Sequence, residues 1–147
     1  MAYFDNNATT RPFPSVQSAY AEALRESWSN PSSPNRSSAR VRAKLNSVRE
    51  DLAGSLGVSS DAITFTSGAT EANNSILAHA AHLAEPDSQA LISSIEHPSV
   101  TESARHWFSD RVRTIPAEPS GLIDLDRFSD LLDKLPSLAI VSLMAAN

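Results

Sequence analysis

Ser67-Gly68-Ala69-Thr70 is the stretch whose residue types and spacing could do chemistry. It follows Ala62-Ile63-Thr64, an apolar and β-branched run that reads as a strand continuing to Thr66. It leads into Ser75–Leu83, which reads as a helix. A strand, a small-residue turn and a helix N-terminus together make an anion site. The first backbone N–H groups of a helix have no internal partner, and the helix dipole places partial positive charge there. Gly68 and Ala69 would let a phosphate approach the backbone, and Thr70 adds a hydroxyl donor. An ordinary connection in which Ser67 or Thr70 caps the helix uses the same residues, so the turn alone does not decide.

Two further stretches fall at equivalent places. Glu96-His97 lies just past the predicted strand Gln89–Ser94, and Ala145-Ala146-Asn147 follows the predicted strand Leu138–Met144. Ligands of open α/β sheets bind beyond the C-terminal strand ends. An anion cradle, an imidazole and an amide would then share one edge, which suits a phosphate-bearing ligand with a flat ring. The glycine spacing of the dinucleotide fingerprint is missing, and so is the Gly-Lys-Ser/Thr of a P-loop. By itself, His97 reads equally as a helix cap or a buried structural histidine.

The elements that must position these residues alternate. Ser15–Ser27 has helical spacing at Val16, Ala19, Tyr20, Ala23 and Leu24. The next helix, opened by Ser37 or Ser38, carries Val41, Leu45, Val48, Leu52 and Leu56 on one face and stops at Gly57. These helices are expected to cover a later sheet. A helix from about Glu71 follows the phosphate-type turn. Pro98 opens a helix with Val100, Ala104, Trp107 and Phe108 inward. Arg111–Ile115 reads as extended, and Leu125–Leu135 as a helix with Phe128, Leu131, Leu132 and Leu135 inward. Leu138–Met144 is almost wholly apolar, as in a strand buried on both faces. Tyr3-Phe4 reads as a brief anchored edge strand. The class is α/β, with a mostly parallel sheet and flanking helices.

Composition narrows the function. A chain of 147 residues with 41% apolar and 20% charged residues suits one ordinary domain. A net charge of −5 without a basic stripe argues against a nucleic-acid surface. Arg36, Arg40, Arg42, Lys44 and Arg49 read as a solvated helix face. There is no cysteine, so disulfides and thiolate chemistry within these residues are excluded. His79 and His82 share a helix face without an evident third ligand, so no metal site is expected. No run reaches transmembrane length and no secretory leader opens the chain, so a cytoplasmic protein without membrane contact is expected.

Five separated motifs carry a resemblance. They are Tyr3-Phe4-Asp5-Asn6-Asn7-Ala8-Thr9-Thr10, Asn30-Pro31-Ser32-Ser33, Phe65-Thr66-Ser67-Gly68-Ala69-Thr70-Glu71-Ala72-Asn73, Glu96-His97, and Ser142-Leu143-Met144-Ala145-Ala146-Asn147. In order and spacing the chain resembles the NifS/IscS-like cysteine desulfurases, a branch of the class V, fold-type I pyridoxal-phosphate enzymes. The sister SufS-like branch usually carries a different residue set at the phosphate turn. The resemblance implies that residues 1–14 pack near the active site. Residues 15–147 would be the first part of an incomplete large domain of the PLP-transferase fold, with the rest of that domain and the small domain absent. Gly68, Ala69 and Thr70 would hold the phosphate of pyridoxal 5′-phosphate (PLP), and His97 would stack on its ring and act as the catalytic proton carrier. Asn6, Asn7 and Asn30 would lie near the substrate pocket. The implied reaction converts L-cysteine to L-alanine and leaves persulfide sulfur on the enzyme. That sulfur would go to an iron–sulfur scaffold or a tRNA-thiolation protein, and the enzyme would be a homodimer.

Some implied groups have no counterpart. The only lysines, Lys44 and Lys134, do not stand in the family's Ser-x-His-Lys context, and no cysteine can carry sulfur. The resemblance places both groups downstream, and the asparagine that meets the cofactor ring would follow Asn147. These residues alone are therefore expected to be inactive, to leave the strand at Ile63–Thr66 without its partner, and to self-associate. Relatives commonly have His and Gly where Asn35 and Ser38 stand, which puts the local loop geometry in question. The alternatives are a non-catalytic or split-enzyme chain, and a related selenocysteine lyase or class V aminotransferase.

Overall fold

The computed structural model describes residues 2–6 and 8–145. They form two compact units, residues 1–65 and 66–147.

The first unit is helical. Helix α1 spans Pro14–Glu26 and starts at a proline, whose missing N–H costs nothing in a first turn. Helix α2 spans Arg36–Leu56. Its cap is Asn35, whose Oδ1 accepts the Ser38 N–H at 2.9 Å, rather than the Ser37 or Ser38 expected from sequence. Ser38 is itself buried, one turn further in. The end of α2 follows expectation. Gly57 adopts φ 68°, its N–H reaches Gly54 O, and Val58 N–H reaches Ala53 O. That pair of bonds is the αL termination in which glycine avoids a Cβ clash. The amphipathic stripe of α2 stays half-exposed, with Leu45, Val48, Leu52 and Leu56 all open.

One expectation for this unit fails. Tyr3-Phe4 forms no strand, and both side chains are exposed, Phe4 at 91%. Ile63–Thr66 is unpaired, as expected, and so is not a strand. A strand needs a neighbour's N–H and C=O groups, and among the described residues none is offered. The segment is tied instead to α2. Arg49 Nε donates to Ile63 O at 3.3 Å, and the Arg49 guanidinium lies 5.1 Å from the centre of the Phe65 ring.

The second unit is the expected α/β arrangement. Helix α3 (Ala69–Leu83) is followed by β1 (Gln89–Ser93), α4 (Pro98–Phe108), β2 (Val112–Ile115), α5 (Leu125–Lys134) and β3 (Leu138–Ser142). All pairing is parallel and the strand order is β2-β1-β3. The chain leaves β1 for one side through α4, then returns past it through α5 to the other side. Winding thus reverses at β1, which opens a crevice at the carboxyl ends of β1 and β3. Register runs from Ala90 opposite Val112 to Ser93 opposite Ile115, and from Ala90 opposite Ile140 to Ile92 opposite Ser142.

One face of this sheet is the core. Ala90 and Ile92 of β1 pack with Leu77 of α3 and with Val100, Ala104 and Phe108 of α4, flanked by Ala80, Ala81, Val112 and Ile140. Val100, Ala104 and Phe108 recur every four residues, so α4 turns one stripe inward. Leu91 and Ile115, also fully buried, lie on the opposite face. β3 departs from expectation. It is an edge strand of the described sheet, and Leu138 and Val141 are 40% and 37% exposed. Its apolar run has the composition of a covered strand, but one flank has no neighbour among the described residues.

Phe108→Ala should cost about 3–5 kcal/mol, because it empties a fully buried site. Trp28→Ser, at a position 79% exposed, should change stability by less than about 0.5 kcal/mol. Urea unfolding of both variants checks this. Equal midpoints would mean that the core is not where the packing puts it.

Candidate functional site

The turn before α3 is built differently from a capped helix start. Gly68 is the N-cap residue, and no side chain caps the helix. The N–H groups of Ala69, Thr70 and Glu71 therefore lack an intrahelical acceptor. Ser67 does not cap. Its N–H and its Oγ–H both donate to Glu71 Oε2, each at 2.6 Å. Thr66 Oγ1 donates to Gly68 O at 3.0 Å, which closes the turn from the other side. Donation by the Ser67 hydroxyl, and then by its N–H, holds the Glu71 carboxyl below the ordinary range for a glutamate. The helix starts two residues earlier than Glu71, the start expected from sequence.

His97 is the N-cap residue of α4. Its Nδ1 accepts the Ser99 N–H at 3.1 Å and lies 2.8 Å from Ser99 Oγ. Ser99 Oγ in turn accepts from Asn73 Nδ2 at 2.9 Å. Asn73 is one turn into α3, about 6 Å along the axis from Ala69. The starts of α3 and α4 are thereby brought side by side. Ser99 is buried, whereas His97 and the Ser67–Thr70 turn are exposed.

Glu96 closes the crevice at the winding reversal. Its Oε1 accepts from Ser93 Oγ at 3.2 Å and from Ser142 Oγ at 3.0 Å, and so joins the carboxyl ends of β1 and β3. Sequence reasoning marked Glu96 only as the neighbour of His97. It missed Asn73 and Ser99 as partners of that histidine, and Glu71 as the brace of the turn. The one local signal was a hydroxyl two residues after His97, in the first turn that Pro98 opens.

The model of the family described as "Aminotransferase class-V" matches residues 2–147. The chain belongs to this family. Within the class V aminotransferases it is NifS- and cysteine desulfurase-like. It is 36% identical to a "NifS/IcsS protein homolog" of Lactobacillus delbrueckii subsp. bulgaricus, over 100% of this chain and 38% of that protein. It is 35% identical to a cysteine desulfurase of Sinorhizobium fredii, over 99% of this chain and 38% of the other. A selenocysteine lyase of Bos taurus is 30% identical, over 99% and 38%. A solved structure of a NifS-like protein superposes with a TM-score of 0.86 at 35% identity, covering 99% of this chain and 40% of that one. The chain thus spans about 38% of the length of these curated relatives.

Class V aminotransferases use PLP, and the donor set can be tested for fit. Ala69, Thr70 and Glu71 present unpaired N–H groups beside the Thr70 hydroxyl, which matches a phosphate group. A Cβ on Gly68 would meet nothing within 4 Å, so the protein itself does not fill the space beside the turn. His97 offers an exposed flat ring at the adjacent helix start. These residues fit the phosphate and one ring face.

The remaining expected residues belong to the first unit. Asn30 is exposed, and its Oδ1 accepts the Ser32 N–H at 2.9 Å, so it builds the loop. Asn6 is exposed in a turn. Asn7 and Asn147 lie outside the described residues. Among the described residues, no group of three or more His, Asp or Glu side chains could hold a metal ion, and no helix is long and apolar enough to cross a membrane.

Glu71 gives the turn a pH dependence of known sign. The folded state favours its carboxylate, so its stabilising share is complete above the unfolded value of about 4.3 and disappears as pH falls through the lower folded value. Glu71→Gln should therefore be less stable than the wild type at neutral pH, with the gap closing below about pH 4. Thermal melts from pH 7 to 3 check this. A gap that stays constant over the range would remove the carboxylate from the account.

Proposed function

We propose that these residues form the phosphate- and ring-binding part of a PLP-dependent cysteine desulfurase. One observation carries the reading. The uncapped start of α3, with Thr70 at its second position, stands beside the helix start that bears His97, through Asn73 and Ser99. Ala69, Thr70 and Glu71 N–H groups and the Thr70 hydroxyl would bind the phosphate. His97 would lie on one face of the ring and hold or move a proton beside it. When bound, PLP supplies the electron sink that lets the substrate amino acid lose its side-chain sulfur. The identities to cysteine desulfurases exceed that to the selenocysteine lyase, which favours L-cysteine over L-selenocysteine as substrate.

In this reading residues 1–14 border the active site, residues 15–147 belong to the cofactor-binding large domain, and Asn6, Asn7 and Asn30 border the substrate. The complete enzyme is a homodimer that acts in the cytoplasm and hands sulfur to an iron–sulfur scaffold or a tRNA-thiolation protein. These residues alone do not complete the reaction, because they hold no cysteine to take up sulfur. Lys134 is poorly placed for the cofactor. Helix α5 runs back from the carboxyl end of β2 to the start of β3, so Lys134 is at the opposite edge from His97, 3.8 Å from Asp130. Lys44 is built into α2 of the first unit.

Titration of the chain with PLP, followed by amide NMR, tests the reading. The Ala69, Thr70 and Glu71 amide signals should move. Thr70→Val should weaken binding by about 10- to 100-fold, the usual effect of losing one hydrogen bond to a charged group. Borohydride reduction should leave Lys44 and Lys134 unmodified. An undisturbed α3 start, or a stoichiometric adduct on either lysine, would overturn the assignment.

A further inference from the structure

We propose that Asn73 and Ser99 are positioning residues that hold His97 in a single tautomer, with Nδ1 unprotonated and Nε2–H presented to the site. The role given to His97 rests on the function proposed above, but the tautomer does not. The decisive group is the Ser99 backbone N–H, 3.1 Å from His97 Nδ1. A backbone N–H can only donate. Nδ1 must then offer its lone pair, and the proton of the neutral ring resides on Nε2.

Ser99 Oγ, 2.8 Å from the same nitrogen, reinforces this. Asn73 Nδ2 donates to that oxygen at 2.9 Å, so the hydroxyl hydrogen is directed toward Nδ1. A proton on Nδ1 would instead face the Ser99 N–H. The conclusion does not depend on which way the Asn73 amide is turned. With its oxygen toward Ser99, the hydroxyl would donate to Asn73 and the backbone N–H would still claim Nδ1. Burial of Ser99 keeps water from competing for these bonds.

The consequence is chemical. With Nδ1 engaged, the ring meets a ligand through Nε2 as a hydrogen-bond donor. To accept a proton at Nε2, His97 would first have to move its own proton to Nδ1 and give up the Ser99 bonds. Asn73 comes from α3 and Ser99 from α4, so ring orientation is tied to the helix whose start forms the candidate phosphate site.

The test is 15N-edited NMR of the chain labelled at histidine, without cofactor. His97 should show a pyridine-type Nδ1 and a pyrrole-type Nε2 signal, characteristic of one tautomer. Ser99→Ala and Asn73→Ala leave the Ser99 backbone N–H in place, so each should shift only part of the population to the other tautomer, and Ser99→Thr, which keeps the hydroxyl, should restore the wild-type balance. A wild-type ring protonated on Nδ1, or a tautomer balance unmoved by both alanine variants, overturns the proposal. The wild-type spectrum alone can decide against it if a variant fails to fold. Addition of PLP to the same sample separates the two readings. A locked tautomer without PLP binding keeps the positioning role and rejects the cofactor role.

Discussion

The parallel pairing of β1 with both neighbours is the constraint on which the rest depends. Because all three strands point the same way, their carboxyl ends share one edge. Glu96, Ser93 and Ser142 meet there because two parallel strands end side by side. Helix α4 begins at that edge because it follows β1 directly. Helix α3 follows no paired strand, and it is held by packing on α4 around Leu77, Val100, Ala104 and Phe108. Each fully buried large side chain there contributes about 1.5–3 kcal/mol. The polar contact of Asn73 with Ser99 then fixes where along α4 the start of α3 comes to rest.

Two carboxylates stand at an edge that also presents helix N-termini, and their placement keeps them from filling the candidate anion site. Glu71 is in the first turn of α3, where the dipole favours negative charge. Its Oε2 is taken up by Ser67, outside the helix, so the first helical N–H groups remain open. Glu96 is occupied in the same way by two serine hydroxyls. Both side chains shape backbone and leave the helix-start donors to a ligand. The arrangement is consistent with a site that needs its loops fixed before the ligand arrives.

Local signals in the sequence carried much of the fold. Pro14 and Pro98 mark helix starts, Gly57 marks a stop, and the four-residue steps of Val100, Ala104 and Phe108 give the inward face of α4. Each is decided within a few residues. What local signals do not decide depends on partners far away in sequence. Ile63–Thr66 has strand composition, yet a strand exists only when a neighbour pairs with it, and here Arg49 engages the segment instead. Leu138–Met144 reads as doubly covered because its residues are apolar, but burial belongs to the neighbours and not to the residue types. The site shows the same division. Gly68, Ala69, Thr70 and His97 could be picked out from their places after predicted strands. Asn73 and Ser99 are 26 residues apart, and nothing in either local stretch announces the bond between them.

The turn before α3 also separates two readings that the sequence left open. If Ser67 or Thr70 were present as a helix cap, its side-chain oxygen would accept a first-turn N–H, as Asn35 does for α2 and Asp124 for α5. Neither does so. Ser67 spends its hydroxyl as a donor to Glu71, and α3 has no side-chain cap at all. Nor does the backbone require glycine at position 68. Its φ of 165° is ordinary extended geometry, and no atom would meet a Cβ there. A helix that can be capped locally, as α2, α4 and α5 are, is more stable with the cap than without it, by roughly 1 kcal/mol. Leaving α3 uncapped forgoes that stabilisation and keeps three N–H groups, a hydroxyl and open space at one point. Helix α1 also starts without a side-chain cap, but at a proline that has no N–H to satisfy, whereas the start of α3 keeps all three N–H groups, as the proposed phosphate site requires.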